Sequence, residues 1–122
     1  MVSKPYQSIN KNSEYLGLKE NGKKIWGSSW MLISFEESQS SISKFGISIS
    51  RKVGNAVIRN KVKRWCRAET RDFLLENPSL KINFTVFIKP MSPDFYKKMV
   101  FDTFQRAFGN GKKQLLKLTK KQ

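Results

Sequence analysis

The sequence predicts one α+β domain, a two-layer α/β sandwich, on the basis of three observations. A chain of 122 residues suits a single hydrophobic core. Apolar and polar side chains alternate in three segments as they do in strands, and two longer segments have helical starts. The resulting order is helix, strand, strand, helix, strand, helix, with a further short strand near Lys24 and Trp26. We expect this domain over residues 12–111, between a flexible tail at 1–11 and a basic tail at 112–122.

The first half of the domain is predicted to contain a short helix and two strands. The helix, over residues 12–22, starts at a capping Asn or Ser. A strand over residues 29–36 places alternate side chains on opposite sides. A second strand, over residues 45–50, has Phe and Ile on one side and Gly and Ser on the other, so one of its faces suits a core.

The second half is predicted to contain two helices around one strand. A helix is expected over residues 56–75, because this stretch contains neither Gly nor Pro. Alternation indicates a third strand over 82–89. The Ser-Pro-Asp sequence at 92–94 is typical of a helix start, and the last helix is expected to run to Phe108 and stop at the Gly-Asn-Gly sequence at 109–111.

Charge is the strongest functional indicator in the composition. The chain has 24 Lys and Arg against 9 Asp and Glu, a formal net charge of +15. Such an excess indicates a polyanion as the partner. No run is long and apolar enough for a membrane-spanning helix, and residues 1–30 lack a secretory pattern. A cytoplasmic protein without membrane association is therefore expected.

Side chains suited to catalysis are few. The chain has no His, and Cys66 is its single Cys, so an internal disulfide and the usual Cys/His zinc sites are excluded. The missing His also removes the commonest general acid or base. The acidic residues are scattered, whereas a two-metal phosphodiesterase needs several around one cleft. We predict no catalytic and no metal-binding residue in the protein, and place Cys66 in the core.

A strongly basic segment lies between Arg51 and Arg71, with Glu69 as its one acidic residue. On a helix that advances about 100° per residue, basic residues four apart share one face. Apolar residues occupy the opposite side, so packing of the helix on a sheet directs the basic face toward solvent. Solvated helix faces usually mix both signs, and this face has no carboxylate. Arginine at most of its positions favours bidentate contacts to phosphate.

Residues 45–64, FGISISRKVGNAVIRNKVKR, closely resemble the signature of the bacterial ribonuclease P protein family. In that family a strand ending in Ser and two basic residues leads through Gly-Asn-Ala-Val into a helix with an Arg-Asn-Arg motif. Lys61 replaces the third motif residue, and Lys19 stands where a second aromatic is usual on the first helix. The resemblance extends more weakly over residues 9–108. It implies a sandwich with a left-handed crossover, similar to one domain of a ribosomal protein.

The resemblance implies a division of labour between protein and RNA. A catalytic RNA subunit is expected to hold Mg²⁺ and hydrolyse the phosphodiester, while the protein binds that RNA and precursor tRNA and assists removal of the 5′ leader. No obligate protein partner is expected. The residues predicted to bind the RNA subunit are Arg51, Lys52, Asn55, Arg59, Asn60, Lys61, Lys63, Arg64, Arg67 and Arg71.

A groove for the single-stranded leader is expected on the sheet. The resemblance implies a cleft that includes Tyr15, Ser48 and Ser50. Phe87 lies among polar neighbours on the third predicted strand, where an exposed ring would stack a base. Tyr15, Trp26 and Trp30 are further candidates for stacking a base. Each of these four aromatics could instead belong to the core. The small-residue face of the second strand could instead lie under a loop or helix.

Two other functions fit parts of the sequence. A ribosomal or RNA-chaperone-type RNA-binding protein is the first alternative. Charge and fold do not separate it from a ribonuclease P protein, whereas the long Gly-Asn-Ala-Val to Arg-Asn motif does. A stand-alone ribonuclease would use Lys and Arg to stabilise the cleaved phosphate, but it would lack an obvious proton acceptor. Incubation of precursor tRNA with the protein alone discriminates this last case.

Overall fold

The computed structural model describes residues 5–119, and the ends of the two predicted tails, 1–4 and 120–122, lie outside the described residues. A 3-10 turn, Arg51–Val53, joins the strand Ser43–Ile49 to the helix Ala56–Glu76. The α+β class is confirmed. The elements in chain order are β1 (Tyr6–Ser8), α1 (Asn12–Asn21), β2 (Lys23–Ser28), β3 (Met31–Glu37), β4 (Ser43–Ile49), α2 (Ala56–Glu76), β5 (Ile82–Ile88), α3 (Phe95–Lys98) and α4 (Phe101–Thr119).

The strands form one mixed sheet in the order β1-β4-β5-β3-β2. Strand β4 pairs in parallel with both β1 and β5, whereas β3 pairs antiparallel with β5 and β2. Because β4 and β5 are adjacent and parallel, α2 is the crossover that connects them. The left-handed sense of that crossover stays a prediction from the resemblance.

Helices α2 and α4 pack on one face of the sheet and enclose the core. The sheet contributes alternate side chains such as Ile33, Phe84 and Val86, each no more than 1% exposed. Burial raises the pKa of the Cys66 thiol, as expected for a cysteine in the core. No helix within residues 5–119 has the length and apolar character needed to cross a membrane. The helical side chains in the core include Val62, Cys66, Phe73, Phe104, Phe108 and Leu115.

The N-terminal segment differs from the flexible tail predicted for residues 1–11. Strand β1 extends the sheet beside β4, and the Ile9 amide donates to the Phe45 carbonyl at 3.0 Å. The Tyr6 ring packs edge-on against Phe45 with the ring centroids 5.2 Å apart. Tyr6 and Ile9 are both buried. A strand of three residues is too short for alternation to be recognised in the sequence.

The last helix differs from the prediction at both ends. The Ser-Pro-Asp sequence leads into α3, a single turn, and the backbone is extended at Met99 before α4 begins. Helix α4 then continues through the Gly-Asn-Gly sequence and across the predicted basic tail to Thr119. A Cβ on Gly111 would lie 2.5 Å from Ile33 Cδ1, and the Gly27 Cα is 3.7 Å away. Gly111 therefore permits close packing of helix on sheet and does not end the helix.

Helix α1 lies on the other face of the sheet and covers only one end of it. Glu14 forms an ion pair with Lys44 of β4 at 2.9 Å, and Leu18 is 2% exposed. Asn83 and Glu36, neighbours across β5 and β3, lie beside the same helix. The rest of this face is not covered by a helix, and its side chains form the floor of a groove.

Candidate nucleic-acid interface

The solvent-facing side of α2 is a continuous basic surface, termed here the α2 basic face. Within residues 5–119 the ion pairs are Lys44–Glu14 and Arg106–Asp102, and neither involves α2. The guanidinium groups on this face therefore have no carboxylate partner, and their planar donors match the geometry of phosphate. The α2 basic face consists of Arg59, Asn60, Lys63, Arg64, Arg67 and Arg71.

Side-chain caps fix the turn that leads into α2. The Asn55 Oδ1 accepts a hydrogen bond from the Ile58 amide at 3.0 Å, and the Ser50 hydroxyl accepts one from the Lys52 amide at 3.3 Å. Asn55 thus has a structural role whether or not it also binds RNA. Arg51 and Lys52 are exposed on the 3-10 turn, just before the helix N-terminus, where the helix dipole also favours an anion.

Lys61 makes an internal contact that the sequence does not predict. Its ammonium donates to the Tyr96 carbonyl at 2.8 Å and contacts the carbonyls of Lys97 and Met99 at 3.4 Å. It also lies 5.0 Å from the centroid of the Trp65 ring. Carbonyls at the end of a helix lack intrahelical partners. Lys61 therefore connects α2 to the junction between α3 and α4 through contacts of its ammonium with backbone carbonyls.

An open groove lies between α1 and the uncovered part of the sheet. The α1 side chains Tyr15, Leu16 and Lys19 form its wall, and its volume is about 350 Å³. Phe87 is 37% exposed in the floor. An aromatic ring with a nearby cation is the combination that binds single-stranded nucleic acid. The floor has an inner row, Ser34 and Thr85, and an outer row, Leu32, Phe87 and Ser48, each joined by cross-strand pairing.

Tyr15 is held against the sheet at the inner end of the groove. A Cβ built on Gly46 would come within 2.7 Å of Tyr15 Cζ, so the ring rests directly on the glycine backbone. Burial raises the pKa of the Tyr15 phenol, and a hydrogen bond with the Ile47 backbone partly opposes this rise. The ring is consequently half-buried and fixed in orientation by β4.

A second cavity continues from Tyr15 around the edge of β4 toward α2. Strand β1 pairs with β4 only as far as Phe45, so the edge beyond that residue is uncovered. The cavity measures about 260 Å³, and Lys63 and Arg67 of α2 line its far side. Because Tyr15 lines both cavities, the groove and the α2 basic face form one continuous surface.

The structure brings together three of the four residues predicted to bind the leader, Tyr15, Ser48 and Phe87. Ser50 lies past the end of β4, outside the groove lining, and its hydroxyl caps the 3-10 turn instead. Trp30 belongs to the core and is 5% exposed. Its ring packs against Phe95, Tyr96 and Phe104.

Sequence reasoning missed two kinds of groove residue. Lys19 follows Tyr15 by four residues and shares its helix face, a spacing that was visible in the sequence. Leu32 and Thr85 enter the floor through strand pairing, with Leu32 opposite Phe87. No sequence signal reveals that pairing, because the order and register of strands depend on the whole sheet.

The fold and this surface define the class of protein, a small basic α+β RNA-binding protein. The family model for ribonuclease P matches residues 4–113. The chain is 28% identical over 102 residues to the ribonuclease P protein component of Bacillus cereus, covering 81% of this chain and 89% of that protein. This chain belongs to the ribonuclease P protein family.

Solved structures of the family share the fold. The ribonuclease P protein of Staphylococcus aureus has a TM-score of 0.63 and 25% identity, covering 93% of this chain and 94% of that one. The protein from Thermotoga maritima has a TM-score of 0.66 and 21% identity, covering 85% of this chain and 93% of that one. The prediction of a ribonuclease P protein subunit is therefore confirmed, in preference to a ribosomal or RNA-chaperone protein.

Proposed function

We propose that this ribonuclease P subunit binds the catalytic RNA through the α2 basic face and the 5′ leader of precursor tRNA through the groove between α1 and the sheet. The single observation that carries this proposal is the continuity of the two surfaces at Tyr15. Two RNA strands bound on one surface would place the precursor beside the catalytic RNA. Tight placement of this kind lowers the entropic part of a reaction barrier.

Hydrolysis and Mg²⁺ binding are assigned in this proposal to the RNA subunit. The chain has no His, and within residues 5–119 no three His, Cys, Asp or Glu side chains are grouped so that they could hold a metal ion. A metal-assisted phosphodiesterase needs such a group, and an acid–base nuclease needs a positioned proton acceptor. The contribution of the protein is then binding energy and positioning.

The groove suits a leader of any sequence. The rings of Phe87 and Tyr15 offer flat surfaces on which every base can stack, at about 1–3 kcal/mol per base. Lys19 supplies a cation for the backbone phosphates. Mature tRNA has no leader, so contacts in this groove would favour precursor over mature tRNA.

Equilibrium binding of tRNA to the reconstituted holoenzyme tests the leader site. Phe87→Ala should weaken precursor binding by about fivefold or more and leave mature tRNA binding unchanged, since it removes one stack. Leu75→Ala is the matched control, because Leu75 is a 50% exposed apolar residue outside the groove. An equal loss for precursor and mature tRNA would contradict the leader site.

Binding of the catalytic RNA to the free protein tests the α2 basic face. The double variant Asn60→Ala/Arg64→Ala should weaken this binding without changing the unfolding midpoint, because both side chains are exposed and lie opposite the core. Unchanged affinity for the RNA in a folded double variant would place the interface elsewhere on the protein.

A further inference from the structure

The edge strand β2 carries an exposed tryptophan that the proposed function does not use. Trp26 is 51% exposed. It pairs with Leu32 of β3, and Leu32 in turn pairs with Phe87 of β5. The outer row of the groove floor therefore continues across a fourth strand and ends at the Trp26 ring.

The Trp26 side chain projects from the face of the sheet that carries the groove. Its neighbours along the strand, Ile25 and Gly27, are buried, and a Cβ on Gly27 would lie 2.5 Å from the Ala107 carbonyl of α4. Since successive residues of a strand point to opposite faces, Trp26 and Lys24 point away from α4. Both lie on the face that α1 leaves partly open.

We propose that Trp26 is a stacking platform for leader nucleotides that extend past the groove. This inference rests on the proposed binding of the leader in the groove. Phe87 and Trp26 are two strand spacings apart, roughly 10 Å. Stacked nucleotides advance about 3.4 Å each, so about three of them span this distance. The bound leader RNA would then cross the four β-strands β4, β5, β3 and β2.

The charge around Trp26 favours an RNA strand as the occupant. Lys23 and Lys24 are exposed on the same strand, and Lys113 and Lys117 are exposed on α4. Gln114 of α4 donates to the Trp26 carbonyl at 3.2 Å, so this basic part of α4 lies next to β2. No acidic residue occurs between residues 103 and 119. Lys24 shares the exposed face with Trp26, and Lys23 and the α4 lysines lie across the same edge of the sheet, so an aromatic ring for bases is combined with cations for phosphates.

A series of precursor tRNAs with leaders of increasing length tests this platform in the reconstituted holoenzyme. Trp26→Ala should weaken binding of long-leader precursors by about fivefold or more and leave short-leader precursors and mature tRNA unaffected. Trp26→Phe should retain most of the affinity, because it keeps a ring. Trp26→Leu keeps an apolar side chain without a ring and should behave like Trp26→Ala, which separates stacking from loss of packing. Unfolding midpoints are measured for all three variants.

The Phe87→Ala variant, measured on the same series, separates this inference from the proposed function. It should weaken binding at every leader length that reaches the groove. Suppose that Phe87→Ala has this effect. If Trp26→Ala then has no effect, or weakens binding equally at all leader lengths, the proposal for Trp26 is wrong and the proposal for the groove is retained. If Phe87→Ala also fails to distinguish precursor from mature tRNA, the groove itself is wrong. A long-leader loss for Trp26→Leu as large as for Trp26→Ala supports stacking, whereas full affinity in Trp26→Leu overturns it.

Discussion

Removal of the Lys61 ammonium should destabilise the protein, although this residue lies within the basic motif. Lys61→Met keeps the aliphatic stem and removes the charge. The 2.8 Å hydrogen bond to the Tyr96 carbonyl is charge-assisted, a class that contributes about 1.5–3 kcal/mol. The two contacts at 3.4 Å are long for hydrogen bonds and add little. The contact with the Trp65 ring adds about 0.5–1 kcal/mol, which the entropy of ordering the side chain offsets.

The expected loss in the free energy of unfolding is therefore about 2 kcal/mol. Urea denaturation followed by circular dichroism measures it, and the melting temperature should fall by roughly 6–10 °C. Lys63→Met is the matched control, with the same substitution two residues further along the same helix. Lys63 lines the open cavity beside Arg67, so its replacement should change stability by no more than about 0.5 kcal/mol.

The affinity of the folded variants for the catalytic RNA should show the opposite order. Lys63→Met removes a charge from the α2 basic face and should weaken binding, whereas Lys61→Met should bind almost as tightly as the wild type once its folded fraction is taken into account. If Lys61→Met is as stable as Lys63→Met and binds RNA more weakly, Lys61 is an RNA contact and the reasoning from its carbonyl partners is refuted.

Three further results are expected. Gly46→Ala should displace the Tyr15 ring and lower the free energy of unfolding by about 1–3 kcal/mol. It should also weaken precursor binding more than mature tRNA binding. An unchanged free energy of unfolding would show that the ring does not rest on β4. The hydrogen bond to Lys44 holds the pKa of Glu14 below its ordinary value, so this pair stabilises the fold at neutral pH and its contribution is lost as pH falls through the lowered pKa. The stability difference between wild type and Glu14→Gln should thus shrink in acid, and because the pair is partly exposed it should also be small. RNA affinity should fall as salt rises, with a log–log slope of about −0.7 to −0.9 per phosphate neutralised, and a slope near zero would exclude the electrostatic mechanism.

Much of the fold was predictable because periodicity alone identifies long, regular elements. Strands β3, β4 and β5 and helix α2 occur where alternation or the absence of breakers indicated them. The three-residue β1 gives no periodic signal, and its place beside β4 depends on a distant segment. The glycine at residue 111 was misinterpreted as a helix stop, since its role is to let α4 approach Ile33. Such tertiary roles override local propensity.

The candidate site was predictable to the extent that it follows from single elements. The α2 basic face results from helical spacing, and the exposed side of β4 and β5 results from alternation, so Ser48 and Phe87 were identified. The internal contact of Lys61 was not predictable, because it requires the position of α3. Ser50 lies outside the groove lining because β4 ends one residue before it.

Cleavage of precursor tRNA by purified components tests directly whether this protein acts as a binding subunit. Precursor tRNA is incubated with the protein alone, with ribonuclease P RNA alone and with both together, at fixed Mg²⁺ and salt. The expected result is faster removal of the 5′ leader with both components than with the RNA alone, and no cleavage by the protein alone. Leader removal by the protein without the RNA, or no stimulation of the RNA by the protein, would contradict the assignment of binding to the protein and hydrolysis to the RNA.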